Sequence, residues 1–413
     1  MLTLLTADNN EPLFKAANAA MFAEFRGMAL VTDADTSEHF AFEWNRTAEA
    51  NIAAGRALRC PDWTPKPTTP PRIGFYLMNT MPLAHTMEFL VFLSGLRQLE
   101  PRPIEPILFT HDKVLPEFAA VVGDLQICAT YGKTAVRQWA STANDIRRLN
   151  VRALVHISLV PGMAFAAAAR VAPRHVWWAW KWHSIDCPGV YRLAGTHPFD
   201  KDFTVNGIHW HSAYSAIPEF VTDEAIGHSK RLRGQIKAPL VFGTCSRDTK
   251  YTPEFAECVR CILDALPGSL YAYSARAPVP FLEAITGKRV KHIGWINSTV
   301  WSGAFDVYLD TFPIPGGHTV FQAMAHGKPV VWMDTSDDAE QSVVNYFKRT
   351  RADCWPVCVD ADEYVKAAVM LAGNNHRLVY GTHNREWFHK HMRDEKRMAI
   401  EVCDHLLRAA NEA

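Results

Sequence analysis

The apolar positions of this chain follow two rhythms, and the change between them divides it. Over residues 1–60 they recur at helical spacing. Leu13, Phe14, Ala17, Met21, Phe22 and Phe25 form one stripe, with Asn10 as cap and Pro12 in the first turn. A second helix is predicted over Glu43 to Leu58. The next segment, CPDWTPKPTTPPR, carries Pro61, Pro65, Pro67, Pro70 and Pro71. Such a run is stiff and extended, and it predicts a boundary.

From Arg72 onward short apolar runs alternate with helical stretches. Strands are predicted at Ile73 to Met78, Ile104 to Phe109, Leu125 to Ala129, Ala153 to Leu159 and His175 to Trp180. Helices are predicted at Thr86 to Leu99, Ala135 to Leu149 and Gly162 to Ala172. This alternation predicts a parallel sheet covered on both faces. A second set begins near Pro239, with strands at Leu240 to Phe242, Leu270 to Ser274, Val290 to Gly294, Val307 to Leu309 and Val330 to Met333. Between its first two strands Thr252 caps a helix with Pro253 at its first position and Phe255, Val259, Ile262 and Leu266 on one face. Arg385 to Ala413 reads as one long amphipathic helix.

The predicted class is therefore α/β, with two Rossmann-like domains facing a cleft. The expected division is an N-terminal helical segment (1–60), a proline-rich linker (61–72), a first domain (73–237), a second domain (238–384) and a C-terminal helix (385–413). In such sheets ligands bind beyond the carboxyl ends of the strands. A cleft between two of them could hold a donor on one side and an acceptor on the other.

Composition narrows the classes. A length of 413 residues suits two domains. Lys+Arg and Asp+Glu balance at 43 each, so no overall field favours nucleic acid or an anionic membrane. The start, MLTLLTADNNEP, lacks the basic and apolar regions of a signal peptide, and no apolar run is long enough to span a membrane. A cytoplasmic protein is expected. Nine cysteines show no small-domain disulfide spacing. Cys258 and Cys261, with Cys354 and Cys358, could bind zinc, but buried thiols are the commoner finding in a helix.

The stretch from Asp306 to Met333, DVYLDTFPIPGGHTVFQAMAHGKPVVWM, carries the most chemistry. It reads as strand, glycine turn, helix and strand. Gly316 and Gly317 let the backbone approach a ligand, and the helix opening at His318 and Thr319 aims N–H groups and a positive dipole end at one spot, where a phosphate is the usual occupant. The alternative is an ordinary strand-to-helix turn. The loop GTCSRDTKY, after Leu240 to Phe242, offers Arg247 and Lys250. Lys250 can neutralise part of a diphosphate's charge. Gln322, one turn into the helix, could bond a ribose hydroxyl.

In the first domain, His85 ends the loop NTMPLAHT that follows the first strand. Its imidazole suits a base or hydrogen-bond donor. His183, after another strand, is a further candidate. His209 and His211 are possible metal ligands, but no third ligand accompanies them at a suitable spacing, and no metal is expected.

Several of these motifs, taken in order, resemble a known family. Over roughly residues 72 to 390 the chain is similar to GT-B glycosyltransferases of glycosyltransferase family 41, the O-GlcNAc transferases and bacterial adhesin N-glucosyltransferases. YLDTFPIPGGHTVFQAMAHGKPVV, FGTCSRDTKYTPEF, MPLAHTM, ARVAPRHVWW and EYVKAAVMLAGNNHRL carry the resemblance. It implies that Gly316, Gly317, His318 and Thr319 form the diphosphate turn, that Lys250 is the diphosphate lysine, and that His85 is one of two histidines of the first domain's loop. Met81 stands where the family has the other. Gln322 stands on the family's ribose-binding aspartate, and an amide accepts through one atom only. Trp295 falls near the expected uracil pocket. The family's N-terminal repeats for protein acceptors have no counterpart here.

The implied activity is inverting, metal-independent transfer of a hexose or N-acetylhexosamine from a UDP-sugar to a protein or other acceptor. No cofactor is implied, the UDP-sugar being a co-substrate. The alternative is a catalytically inactive UDP-sugar-binding module or scaffold, favoured by Met81 and Gln322. A nicotinamide-dependent dehydrogenase is disfavoured because the loop after the first strand has no GxGxxG.

Overall fold

A computed structural model describes residues 12–13, 15–21, 37–158, 162–180, 186–196, 202–205, 207–285, 288–313, 315–334 and 357–411. The chain forms two compact units, one comprising residues 1–216 and 394–413, the other residues 217–393.

The first unit is built on eight strands: β1 (Arg72–Leu77), β2 (Glu105–Thr110), β3 (Gln126–Ala129), β4 (Ala153–Ile157), β5 (His175–Ala179), β6 (Val190–Thr196), β7 (Phe203–Val205) and β8 (Ile208–Tyr214). Their order is β3-β2-β1-β4-β5-β6-β8-β7, parallel except for the β7–β8 pair. The period-two pleat of β1 explains its apolar run. Ile73, Phe75 and Leu77 pack on one face, against the helices Ala84–Arg97 and Glu395–Asn411. Tyr76 joins Trp139, Ile146 and Phe165 on the other. Both faces are covered, as the alternating pattern predicts. The helix Ala84–Arg97 meets Glu395–Asn411 closely at Gly95, where a Cβ would lie 1.9 Å from the Glu395 carbonyl oxygen.

The second unit holds β9 (Val241–Cys245), β10 (Leu270–Ser274), β11 (Val290–His292), β12 (Val307–Leu309), β13 (Val330–Met333) and β14 (Val357–Cys358). All are parallel, in the order β11-β10-β9-β12-β13-β14. Its core includes Phe242, Phe255, Val259, Ile262, Tyr271 and Leu309. Thr252 caps the helix Pro253–Ala265 by accepting the Phe255 N–H at 3.1 Å, as predicted.

The units differ from the expected division in three places. The proline-rich stretch does not separate two bodies: the helix Ser37–Ala57 packs on Met163–Ala168 within the first unit, and the Lys66 N–H donates to Asn150 Oδ1 at 2.7 Å. The helix Asp223–Gln235 belongs to the second unit. Ser229 Oγ donates to the Val300 carbonyl at 2.7 Å, and Arg233 pairs with Asp306 at 2.9 Å. The tail is two helices, Asn374–His391 and Glu395–Asn411. Asp394 interrupts them because its carboxylate accepts the Arg397 N–H at 2.9 Å and caps the second helix. That helix covers β1's sheet in the first unit, while the helix before it stays in the second.

Strands β6, β7, β8 and β14 were not legible as apolar runs. In β6 and β8 polar residues interleave with Leu193, Ala194, Trp210 and Ala213, and only the neighbouring strands show them as ladder members.

Candidate active site

In the second unit the strand order reverses between β9 and β12, so the connections leave these two neighbours on opposite faces of the sheet. At such a switch point the loops beyond the carboxyl ends part and leave a crevice. The loops in question are Ser246 to Tyr251 and Thr311 to Gly317, the two singled out by their residue types.

Hydrogen bonds hold the two strands together beneath this point. Thr244 Oγ1 donates to the Leu309 carbonyl at 2.6 Å, and the Tyr308 hydroxyl donates to the Cys245 carbonyl at 3.1 Å. Burial pushes the Tyr308 phenol well above its ordinary pKa, so it remains a donor. Above, Thr252 Oγ1 donates to the Phe312 carbonyl at 3.2 Å. A single 3-10 turn, Asp248–Lys250, carries Lys250 across to the glycine turn, where its Nζ donates to the Pro315 carbonyl at 2.5 Å. The lysine and the glycine turn are therefore adjacent. Arg247, at the start of the same turn, is exposed and its side chain has no hydrogen-bond or salt-bridge partner among the described residues.

The glycine turn is more differentiated than its sequence suggests. Not all of its amides face outward: the buried Gly316 N–H donates to Asp310 Oδ1 at 2.7 Å. A Cβ at Gly316 would stand 2.8 Å from that oxygen and 2.9 Å from Val320 Cγ2, so the position requires glycine for close packing. Gly317 is exposed, and a Cβ there would meet nothing within 4 Å among the described residues. Open space thus lies beside Gly317, the N-cap of the helix His318–Ala325, where the first amides of a helix point toward its N-terminal end and the Val320 N–H donates to the Gly317 carbonyl at 3.0 Å. His318 stands edge-on to Phe220 at 5.7 Å.

Gln322 lies in the same helix and is only 7% exposed. Its Nε2 donates to Thr299 Oγ1 at 3.0 Å, while its buried Oε1 has no partner among the described residues. Leaving a buried amide oxygen unpaired costs about 1–3 kcal/mol, and a ligand hydroxyl would recover it. Thr299 belongs to the short helix Ser298–Ala304, capped by Asn297, which accepts the Thr299 N–H at 3.1 Å. Just before this helix, Trp295 is 60% exposed, with the Arg276 guanidinium 5.5 Å from its ring centroid. An exposed aromatic face with a cation on it suits a flat heterocycle.

Sequence reasoning missed Asp310, Thr299 and Arg276. Arg276 follows the carboxyl end of β10 and was detectable as a cation at a strand end. The tie from Asp310 to Gly316 has no sequence signal.

In the first unit the strand order reverses between β1 and β4. His85 stands in the first turn of the helix that follows β1 and is half-buried; Met81, in the preceding loop, is exposed. His183 and Cys354 lie outside the described residues. Among the described residues Cys258, Cys261 and Cys358 form no ligand set. The expectation that His209 and His211 lack a third ligand is overturned: Asp202 joins them across the β7–β8 hairpin.

No protein-family model matches the chain, and no curated protein matches it. Solved structures do. A mutant of the O-GlcNAc transferase of Thermobaculum terrenum aligns with a TM-score of 0.64 at 20% identity, over 88% of this chain and 73% of that one. A glycosyltransferase from Rickettsia africae aligns at 0.57 and 10%, over 83% and 99%. The E. coli trehalose-6-phosphate structure bound with UDP-2-fluoro glucose aligns at 0.53 and 10%, again over 83% and 99%. These likenesses establish the fold: an α/β chain of the GT-B class, with a parallel sheet in each unit and helices at the termini. No helix among the described residues is long and apolar enough to cross a membrane.

Proposed function

We propose that the chain is a glycosyltransferase that moves a hexose or N-acetylhexosamine from a UDP-sugar to an acceptor, with inversion and without a metal at the reacting centre, and that it is related to glycosyltransferase family 41. The observation that carries this reading is the meeting of Lys250 with the glycine turn, the Lys250 Nζ lying 2.5 Å from the Pro315 oxygen beside the open space at Gly317. A cation and a helix start there suit a diphosphate. That three of the structural neighbours are named as transferases or hold a UDP-sugar supports the same reading.

In the proposed reaction an acceptor nucleophile attacks the anomeric carbon as its bond to UDP breaks. The electron pair leaves with the diphosphate, and the acceptor's proton passes to a base. Charge grows on the leaving group in the transition state. Lys250 and the amides of Gly317 to Thr319 are the fixed donors that stabilise it, and such donors are worth about 100- to 1000-fold in rate. The ribose is assigned to Gln322 Oε1 and the uracil to the Trp295 face. His85 is assigned to the transfer step, as orienter of the sugar or proton acceptor, and Arg247 to the outer diphosphate charge.

A second reading, a UDP-sugar-binding module without turnover, is favoured by Met81 and Gln322, which replace a histidine and an aspartate of the family that this chain resembles. One experiment separates the two. UDP, UDP-glucose and UDP-N-acetylglucosamine are tested for binding by calorimetry and for release of UDP with and without cell extract as acceptor source. Binding with turnover supports the transferase, binding alone supports the module, and no binding overturns both.

A further inference from the structure

The β7–β8 hairpin brings together three side chains that the proposed transfer reaction does not use. His209 and His211 are two apart in β8, so the pleat places them on one face of the sheet. The register pairs Phe203 with Trp210 and Thr204 with His209, so Asp202 stands one step beyond, across from His211 on that same face. Trp210, between the histidines, points the other way into the core and packs against Trp177 at 4.7 Å. Neither residue spacing nor composition shows this juxtaposition, because Asp202 reaches the histidines only through strand pairing.

We infer that Asp202, His209 and His211 form a binding site for one divalent transition-metal ion, zinc first among them. Their ligand atoms all lie within 4.8 Å of one another. His209 Nε2 is 3.5 Å from Asp202 Oδ2, and His211 Nδ1 is 2.7 Å from the same oxygen. Ligand atoms about 2.0–2.1 Å from a tetrahedral zinc lie roughly 3.3 Å apart. The first separation fits, and the second, now a hydrogen bond, opens by about half an ångström when the metal takes the place of the shared proton. The two rings lie edge to face, 4.7 Å apart and at 89°, and do not stack.

The surroundings hold the set in place. Asp202 Oδ1 accepts the Ser212 N–H at 3.1 Å, which turns Oδ2 toward the imidazoles. Tyr191 of β6 stacks on His211 at 4.3 Å, and its hydroxyl bonds His405 Nδ1 at 2.7 Å. His405 Nε2 in turn bonds the Ser212 carbonyl at 3.1 Å. Both nitrogens of His405 are thus occupied, and it serves as a support for the site. Two imidazoles and one carboxylate are borderline donors that suit zinc, cobalt or nickel and do not suit magnesium or calcium, which take oxygen ligands. Three protein ligands leave a fourth position for water or a partner's side chain. The bound ion would clamp the hairpin at the edge of the sheet.

The test uses the full chain, stripped with a chelator and titrated with zinc chloride in a calorimeter. One zinc ion per chain is expected, with magnesium silent. His209→Ala and His211→Ala are each expected to weaken binding at least about tenfold, and Asp202→Asn to weaken it as well. Asp202 and His209 are exposed, so Asp202→Asn and His209→Ala should unfold at the wild-type temperature. Cobalt supplies a second readout: four-coordinate visible bands in the wild type and their loss in His211→Ala. Cys258→Ser should change nothing. Absence of zinc binding, binding retained in both histidine variants, or binding lost with Cys258→Ser would each overturn the assignment. None of these results depends on the transferase reading.

Discussion

Replacing Lys250 by alanine tests the central chemistry most directly. In the structure its Nζ donates to the Pro315 carbonyl at 2.5 Å, from a half-buried side chain. Removing that bond costs folding about 0.5–1.5 kcal/mol. Unfolding of the second unit should therefore shift by only a few degrees. The effect on the ligand should be larger. A charge-assisted bond to a diphosphate contributes about 1.5–3 kcal/mol. At 1.4 kcal/mol per decade this predicts a fall in UDP affinity of about 10- to 150-fold. If the lysine also stabilises the departing diphosphate, kcat for UDP release should fall about 100- to 1000-fold. Lys250→Arg keeps the charge and should recover part of the binding. Calorimetry gives the affinity, and a coupled assay of UDP release gives kcat. A Lys250→Ala protein that binds UDP within about threefold of wild type would refute the placement of the diphosphate. Weaker binding with unchanged kcat would refute the leaving-group role alone.

Other outcomes follow from the same geometry. Gln322→Ala should weaken UDP about three- to tenfold, the value of one hydrogen bond, and 2′-deoxy-UDP by less if the 2′-hydroxyl is the partner of Oε1; equal loss for both nucleotides would remove the 2′ contact. Gly316→Ala should destabilise the second unit by about 1–3 kcal/mol because its Cβ would crowd Asp310 and Val320, whereas Gly317→Ala should cost less stability and more UDP affinity. Acid should destabilise the first unit through its buried imidazoles. His156 and His175 face each other at 2.9 Å, and burial drives His156 well below 6.5 and His175 to about 3. The unfolded chain takes up protons on these groups below about pH 6.5 while the folded chain does not, so stability is full above that value and falls toward pH 3 by about 1.4 kcal/mol per unit for each histidine. Urea midpoints between pH 7.5 and 5 measure the slope, and His175→Asn should reduce it by about one proton; a flat profile would contradict the burial argument.

The sequence by itself determined the class of fold and the two loops that matter. Apolar runs of strand length separated by helical stretches leave few architectures beyond a covered parallel sheet, since a strand apolar on both faces must be buried on both. Glycines at a strand-to-helix turn and a lysine after a neighbouring strand were legible because their chemistry is local. Strand order was not local. That β9 lies beside β12, and so brings Lys250 to Pro315, was decided by long-range pairing. Pairing also exposed β6 and β8, whose polar positions hide them, and carried Asp202 to two histidines. The burial that leaves Gln322 Oε1 without a partner among the described residues, and the tie of Gly316 to Asp310, arise from how the turn and its helix pack. Residue type reports what a side chain can do; only the tertiary structure settles which neighbours it meets and which of its atoms remain for a ligand.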